Sequence, residues 1–253
     1  MSIDPADVER LRAARLTVDG RIAAACARSG RNPLDVTLVA VSKTFPTERL
    51  RAAVAAGLTT LGENRVQEAE AKAGEVDGAT WHLVGPLQKN KARRALEIFE
   101  TIESVDSLAL AERLDRIATE VRPGARVPVL LQVNVDDDPS KTGFEPADLE
   151  ASLGAILDLP RLDARGLMTI GRQAAAPEDA RPTFVGLREL AARLRDRDGR
   201  LGPELSMGMT DDFEVAVEEG ATIVRVGRAL FGERPHDHGP GHDHENGPGG
   251  HEH

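Results

Sequence analysis

Val36-Thr37-Leu38-Val39-Ala40-Val41-Ser42-Lys43 is short, rich in β-branched residues and almost wholly apolar until its last position. Such a run fits a strand buried on both faces, as the strands of a parallel sheet are. It ends in a lysine, followed by Thr44-Phe45-Pro46 and then a helical pattern. An ammonium closing a buried strand must be desolvated or given a partner. In a barrel of parallel strands, the C-terminal strand ends form the active face. A lysine there can have its pKa lowered enough to attack a carbonyl carbon and form a Schiff base. A lysine that merely leaves the strand for solvent fits this stretch equally well, so the flanking sequence has to decide.

Working outward, one helix precedes this strand: Asp4 as N-cap, Pro5 at the first helical position, then Leu11, Ala14, Val18, Ile22 and Ala25 at helical spacing up to Ser29-Gly30. Downstream, strands and helices alternate. The strand 36–42 leads to a helix over about 47–56, and Thr59–Gly62 to a helix opening at Glu63. Thr80–Val84 precedes a helix near 88–99, and Ile102–Val105 one at 107–121. Val127–Val135 runs into the acidic turn Asp136-Asp137-Asp138-Pro139 and a helix near 146–157. Gly166–Ile170 precedes a helix near 178–197, and Leu205–Met207 is followed by Asp211 and Glu214, spaced as a capping box. Thr222–Val226 and a helical turn from Arg228 complete the series. Strands and helices repeating every ~25–30 residues form a parallel α/β pattern. With no glycine-rich dinucleotide fingerprint after the first strand, it predicts a single (β/α)8 TIM barrel with an extra N-terminal helix, an α/β fold.

Composition narrows the function. The chain has 253 residues and a net charge of −10, which argues against a nucleic-acid partner while leaving room for a small phosphate pocket. It has one Trp, six Phe and no Tyr, so the core must be aliphatic. Cys26, the single cysteine, cannot form an intramolecular disulfide and lies on the apolar face of the first helix, where packing is the expected role. The N-terminus is charged and unlike a signal peptide, and no stretch has the ~20 apolar residues of a membrane span. A cytoplasmic protein with no membrane partner is the expectation. From about residue 235 the chain turns polar and carries six of the seven histidines. The expected organisation is a barrel over 1–234 and a disordered tail over 235–253. Within that tail His236, His238, His242 and His244 offer at most weak metal binding; no other metal site is indicated.

Bringing the strand ends together assembles a constellation. Lys43 ends the first strand, Asn64 follows the second, and His82 and Gly85 lie at the third. Ser206-Met207-Gly208-Met209 ends the seventh and Arg225-Val226-Gly227-Arg228 the eighth. Barrels often bind phosphate in the loops after strands seven and eight, and glycines there let backbone N–H groups approach an anion. Such a pocket facing a lysine suits a phosphorylated aldehyde, pyridoxal phosphate being the usual one. Arg225 interrupts a buried strand, so its charge needs an inward partner. His82, with no motif around it, reads as a hydrogen-bonded packing residue, and Lys89, Lys91, Arg93 and Arg94 as a solvated helix face.

The blocks Ala40-Val41-Ser42-Lys43, Gly62-Glu63-Asn64-Arg65-Val66-Gln67-Glu68, Trp81–Lys91, Ser140-Lys141-Thr142-Gly143, Arg165-Gly166-Leu167-Met168, Leu205–Met209 and Val224-Arg225-Val226-Gly227 closely resemble the pyridoxal-phosphate homeostasis protein family. The resemblance runs in order over about residues 8–232. It implies a fold-type III barrel like that of alanine racemase, without the C-terminal β-domain, and pyridoxal 5'-phosphate joined to Lys43. It also implies that Ser206, Gly208, Gly227 and neighbouring backbone hold the phosphate, that Arg225 faces the ring nitrogen and that Asn64 lines the ring. Members of the family are thought to store, shield or deliver the cofactor, apo-enzymes being the recipients, and to act as monomers without an established reaction. Two alternatives remain open on the residues: a racemase or decarboxylase on the same barrel, and a cofactor-free Schiff-base aldolase acting on a sugar phosphate. The missing tyrosine weakens the racemase, since racemases of this fold resemble one another in using a tyrosine from an added domain. Lys141 is a candidate second amine for transfer, against the simpler reading of a solvent-exposed loop lysine.

Overall fold

The computed structural model describes residues 3–171 and 175–233; the His-rich stretch and the 234/235 boundary lie outside them. Eight parallel strands close into a barrel in the order of the sequence. They are β1 (Thr37–Val41), β2 (Thr60–Glu63), β3 (Thr80–Leu83), β4 (Thr101–Val105), β5 (Val127–Gln132), β6 (Leu162–Met168), β7 (Glu204–Met209) and β8 (Ile223–Val226). Closure is made by β1 against β8, with Thr37 opposite Ile223 and Ala40 opposite Val226. The (β/α)8 expectation is met.

The helices are α1 (Pro5–Ser29), α2 (Thr47–Ala55), α3 (Val66–Glu70), α4 (Ala92–Ile98), α5 (Leu108–Val121), α6 (Pro146–Leu157), α7 (Arg181–Arg197), α8 (Phe213–Glu218) and α9 (Arg228–Phe231). Alternation along the strands separates two cores. Ala40, Leu61, Leu83 and Val224 pack outward against the helices, whereas Val39, Val84, Leu130, Met168 and Ile223 form an apolar plug inside the barrel.

The extra helix starts as read. Asp4 accepts the Ala6 N–H at 2.9 Å, Pro5 begins α1, and Gly30 ends it at φ 67. Leu11, Val18 and Ile22 are buried by α1, each worth ~1.5–3 kcal/mol of apolar transfer. Cys26, fully buried, is on the same face. The α1 helix packs on α2, α8 and α9, covering the β8–β1 closure. Arg49 of α2 donates to both Asp7 and the Phe231 carbonyl at 3.0 Å. The Phe45 and Phe231 rings stack 5.0 Å apart. These contacts fasten the segments just after β1 and β8 to each other.

Several boundaries differ from the sequence reading, each for a physical reason. The sixth strand begins at Leu162 rather than Gly166. Gly166 lies within it at φ 155, where an added Cβ would be 1.9 Å from the Glu204 carbonyl, so this glycine marks a register shift against β5 and not a strand start. The fifth strand stops at Gln132, and Val133 forms an isolated bridge to Phe144. The helix after β3 is preceded by a 3-10 turn at Lys89–Lys91, and the one after β6 by a turn at Pro177–Ala180. The Asp211/Glu214 capping box does not form: Asp212 is the N-cap, Asp211 pairs with Arg228, and Glu214 accepts from Arg21 at 2.7 Å. No helix among the described residues is long and apolar enough to cross a membrane.

Candidate functional site

Lys43 stands immediately beyond β1, on the alternation that sends Val39 and Val41 into the barrel. The backbone on either side of it is pinned by the β2–α3 unit. The Ser42 N–H donates to the Gly62 carbonyl at 2.9 Å, and the Ser42 hydroxyl to Glu63 at 2.8 Å. Lys72 donates to the same carboxylate at 2.9 Å, and the Thr44 N–H to Glu68 at 3.3 Å. Thr44 itself holds φ 69, a left-handed conformation that a β-branched residue adopts only when its surroundings fix it. Burial pushes the Glu63 carboxyl above its usual range, against the opposing pull of Lys72 and Ser42. Its second oxygen is buried without a partner.

Asn64 and Gly85, at the ends of β2 and β3, touch: a Cβ on Gly85 would be 2.4 Å from the Asn64 carbonyl. Beside them opens a cleft of about 760 Å³, lined by Asn64, Arg65, Gln67, Glu68, Gln88 and Lys91. Lys91, read as part of a solvated face, is thus a lining residue.

Below the mouth, polar side chains from four strands meet inside the barrel. His82 on β3 shares a hydrogen bond of 2.7 Å between its Nδ1 and Glu103 of β4. The Ser206 hydroxyl, on β7, donates to the other Glu103 oxygen at 2.5 Å and accepts from Arg225 Nη1 at 2.6 Å. Arg225 Nη2 donates to the Thr169 carbonyl at 2.7 Å. Glu103 and Ser206 are wholly buried and Arg225 is 4% exposed. Burial alone would raise the Glu103 pKa, but the His82 hydrogen bond and charge, then Arg225 and Ser206, outweigh it and hold the carboxyl below its usual range. Burial lowers the Arg225 pKa, opposed by Glu103 and Asp212. Asp212 is pushed up by its own burial, against the Met209 N–H and Arg225.

The loops after β7 and β8 meet through the Gly227 N–H, which donates to the Thr210 hydroxyl at 3.3 Å. Gly208 is at φ 90, where a Cβ would collide with Ala216 at 2.5 Å. The Gly227 N–H, the Thr210 hydroxyl and the glycine backbone around them suit an oxyanion, and with the amine and the guanidinium they fit a phosphorylated pyridine aldehyde.

Some residues singled out in the sequence lie elsewhere. The Met207 side chain is buried in the outer layer, so only its backbone borders the site, and Met209 is 38% exposed. The Arg228 side chain turns out to Asp211. The hydroxyl of Ser206, read as a phosphate donor, gives its proton to Glu103. Lys141 is partly buried rather than loose in solvent, donating to the Ile170 carbonyl at 3.1 Å beside the end of β6. Among the described residues no cluster of three metal-ligating side chains exists, and His236, His238, His242 and His244 lie outside them. Sequence reasoning missed Glu103, Thr210 and Lys72. Glu103 had a signal, an acid in the otherwise buried run Thr101–Val105, the mirror of Arg225 in β8.

The family model described as alanine racemase, N-terminal domain, matches residues 22–235. A Pseudomonas aeruginosa pyridoxal phosphate homeostasis protein is 46% identical over 222 residues, covering 86% of this chain and 93% of that one. Its Escherichia coli K12 counterpart is 40% identical over 232 residues, covering 86% and 94%. The solved structure of PipY from Synechococcus elongatus with pyridoxal phosphate bound is 46% identical, has a TM-score of 0.75 and covers 85% of this chain and all of that one. Alanine racemase from Clostridium difficile shares the fold, with a TM-score of 0.70 at 15% identity, and the match covers 58% of that longer chain. The family model and relatives at 40–46% identity that cover 85–86% of the chain place this closed parallel barrel in the pyridoxal phosphate homeostasis protein family, within the alanine racemase N-terminal domain class.

Proposed function

We propose that the chain binds pyridoxal 5'-phosphate at the barrel mouth and acts in its homeostasis by storing, shielding or delivering it. The observation that carries this reading is the placement of Lys43, fixed by β2 and α3 at the rim of a barrel whose interior presents Arg225. The cofactor supplies an aldehyde carbon that condenses reversibly with an amine. Lys43 supplies that amine, and Arg225 presents a hydrogen-bond donor toward the ring nitrogen. Gly208, Gly227 and the backbone of Met207 and Arg228 cradle the phosphate with Thr210, while Asn64, Gly85 and His82 border the ring; the Met209 N–H is given to Asp212 at 2.6 Å. Ser206 serves this site from below, through Arg225. Pyridoxal phosphate bound in the PipY relative supports the assignment, as do relatives named for homeostasis rather than for a reaction.

The barrel works in this reading as a cytoplasmic monomer, with apo-enzymes as recipients and residues 235–253 as a separate tail. An absorbance spectrum of the purified protein loaded with pyridoxal phosphate should show a visible band, and borohydride should fix the label on Lys43. Lys43→Ala should lose both; a variant as yellow as its parent would overturn the assignment. For delivery, loaded protein should activate an apo-enzyme in the presence of a trap for free cofactor. No activation above the free-cofactor control would count against direct transfer.

A further inference from the structure

Glu103 is the least expected group in the barrel. It is an acid on a strand otherwise built of Thr, Ile, Ser and Val, it is wholly buried, and both of its oxygens are engaged. Its charge sits one serine away from Arg225, with the Ser206 oxygen 2.5 Å from the carboxylate and 2.6 Å from the guanidinium. A guanidinium is always charged in a protein, so an arginine buried this deeply needs a compensating anion. Glu103 is that anion at one remove. The hydroxyl between them is committed: its proton points to Glu103 and its lone pair to Arg225.

We propose that Glu103, acting through Ser206, is a positioning residue for Arg225 and offsets its field at the barrel mouth. The inference rests on the pyridoxal phosphate reading and deepens it. Arg225 thereby offers the ring nitrogen a directed N–H with its charge offset by Glu103. Removing the carboxylate charge would leave that field unbalanced, and a nearby positive potential disfavours any cationic state. The proton on the nitrogen joining Lys43 to the cofactor would then be held less tightly. Other charged groups face the pair from neighbouring elements: His82 on β3, Glu204 on β7 and Asp212 in the turn after β7. Those residues are unchanged in the variants below, and His82, bonded to Glu103, faces a neutral group in Glu103→Gln.

The test is the pH midpoint of the visible band of the loaded protein. Glu103→Gln keeps the size of the side chain, drops its charge and leaves one acceptor oxygen in place of two; its midpoint should fall by on the order of one pH unit. Glu103→Asp, which keeps the charge, should stay near wild type. The double variant Glu103→Gln/Ser206→Asp moves the anion onto β7 beside Arg225 and should return the midpoint to wild type. It should also restore folding if Glu103→Gln alone does not fold. A Glu103→Gln midpoint equal to wild type would overturn the inference. So would a double variant that stays shifted, or stays unfolded where the single variant did not fold. Mass spectrometry after borohydride runs alongside: wild type without a label on Lys43 would sink the underlying reading instead.

Discussion

At the scale of single residues, Glu63 and Glu103, the two wholly buried carboxylates among the described residues, have environments that act in opposite directions. Glu103 has its pKa depressed, because His82, Arg225 and Ser206 outweigh burial. Its ionisation therefore adds stability that is fully present above the unfolded value of ~4.3 and is lost as pH falls through the folded value. Glu63 has its pKa raised, burial outweighing Lys72 and Ser42. Its ionisation subtracts stability at neutral pH, and that loss is recovered as pH falls through its folded value toward ~4.3. Breaking a buried pair by removing one charge costs ~3–5 kcal/mol. Cofactor-free Glu103→Gln should thus be less stable than wild type by about that amount at pH 7 in denaturant titrations, the gap narrowing below about pH 4. A gap independent of pH would show that shape and not charge is lost.

At the scale of elements, the strand ends are held in place by close backbone approach. Gly85 lets the end of β3 lie against Asn64 at the end of β2, and Gly166 does the same for β6 against Glu204 of β7. Neither clash can be relieved by rotating a side chain, because the atoms met are backbone. Gly85→Ala should cost ~1–3 kcal/mol and weaken cofactor affinity as well, since it displaces Asn64 at the rim; Gly166→Ala should cost a similar amount, with less effect on affinity. Paired denaturation and cofactor titrations would separate the two. The period of the β/α alternation was legible in the sequence, and so was the lysine that closes β1, because burial patterns and an anomalous charge are local signals. Register was not legible. Gly166 reads as the start of a strand until β7 is seen beside it. The partner of Arg225 lay 122 positions back, in a strand whose own anomaly has no meaning until the barrel closes.

For the molecule as a whole, closure makes binding and folding one equilibrium. The rim residues come from β1, β2, β3, β7 and β8, so the site exists only when the barrel does. A ligand that binds only the folded state at 100 times its dissociation constant adds ~2.7 kcal/mol. For a domain of this size that corresponds to a melting temperature raised by roughly 5–10 °C. Wild type should show this shift with pyridoxal phosphate and Lys43→Ala should show much less of it in thermal scans. The same closure hides the one thiol of the chain. Cys26, wholly buried on the inner face of α1, has its pKa raised by desolvation and cannot react while that helix is docked. Its modification by a maleimide therefore times the undocking of α1 from the seam, a built-in stopwatch for breathing of the fold that needs no engineered probe.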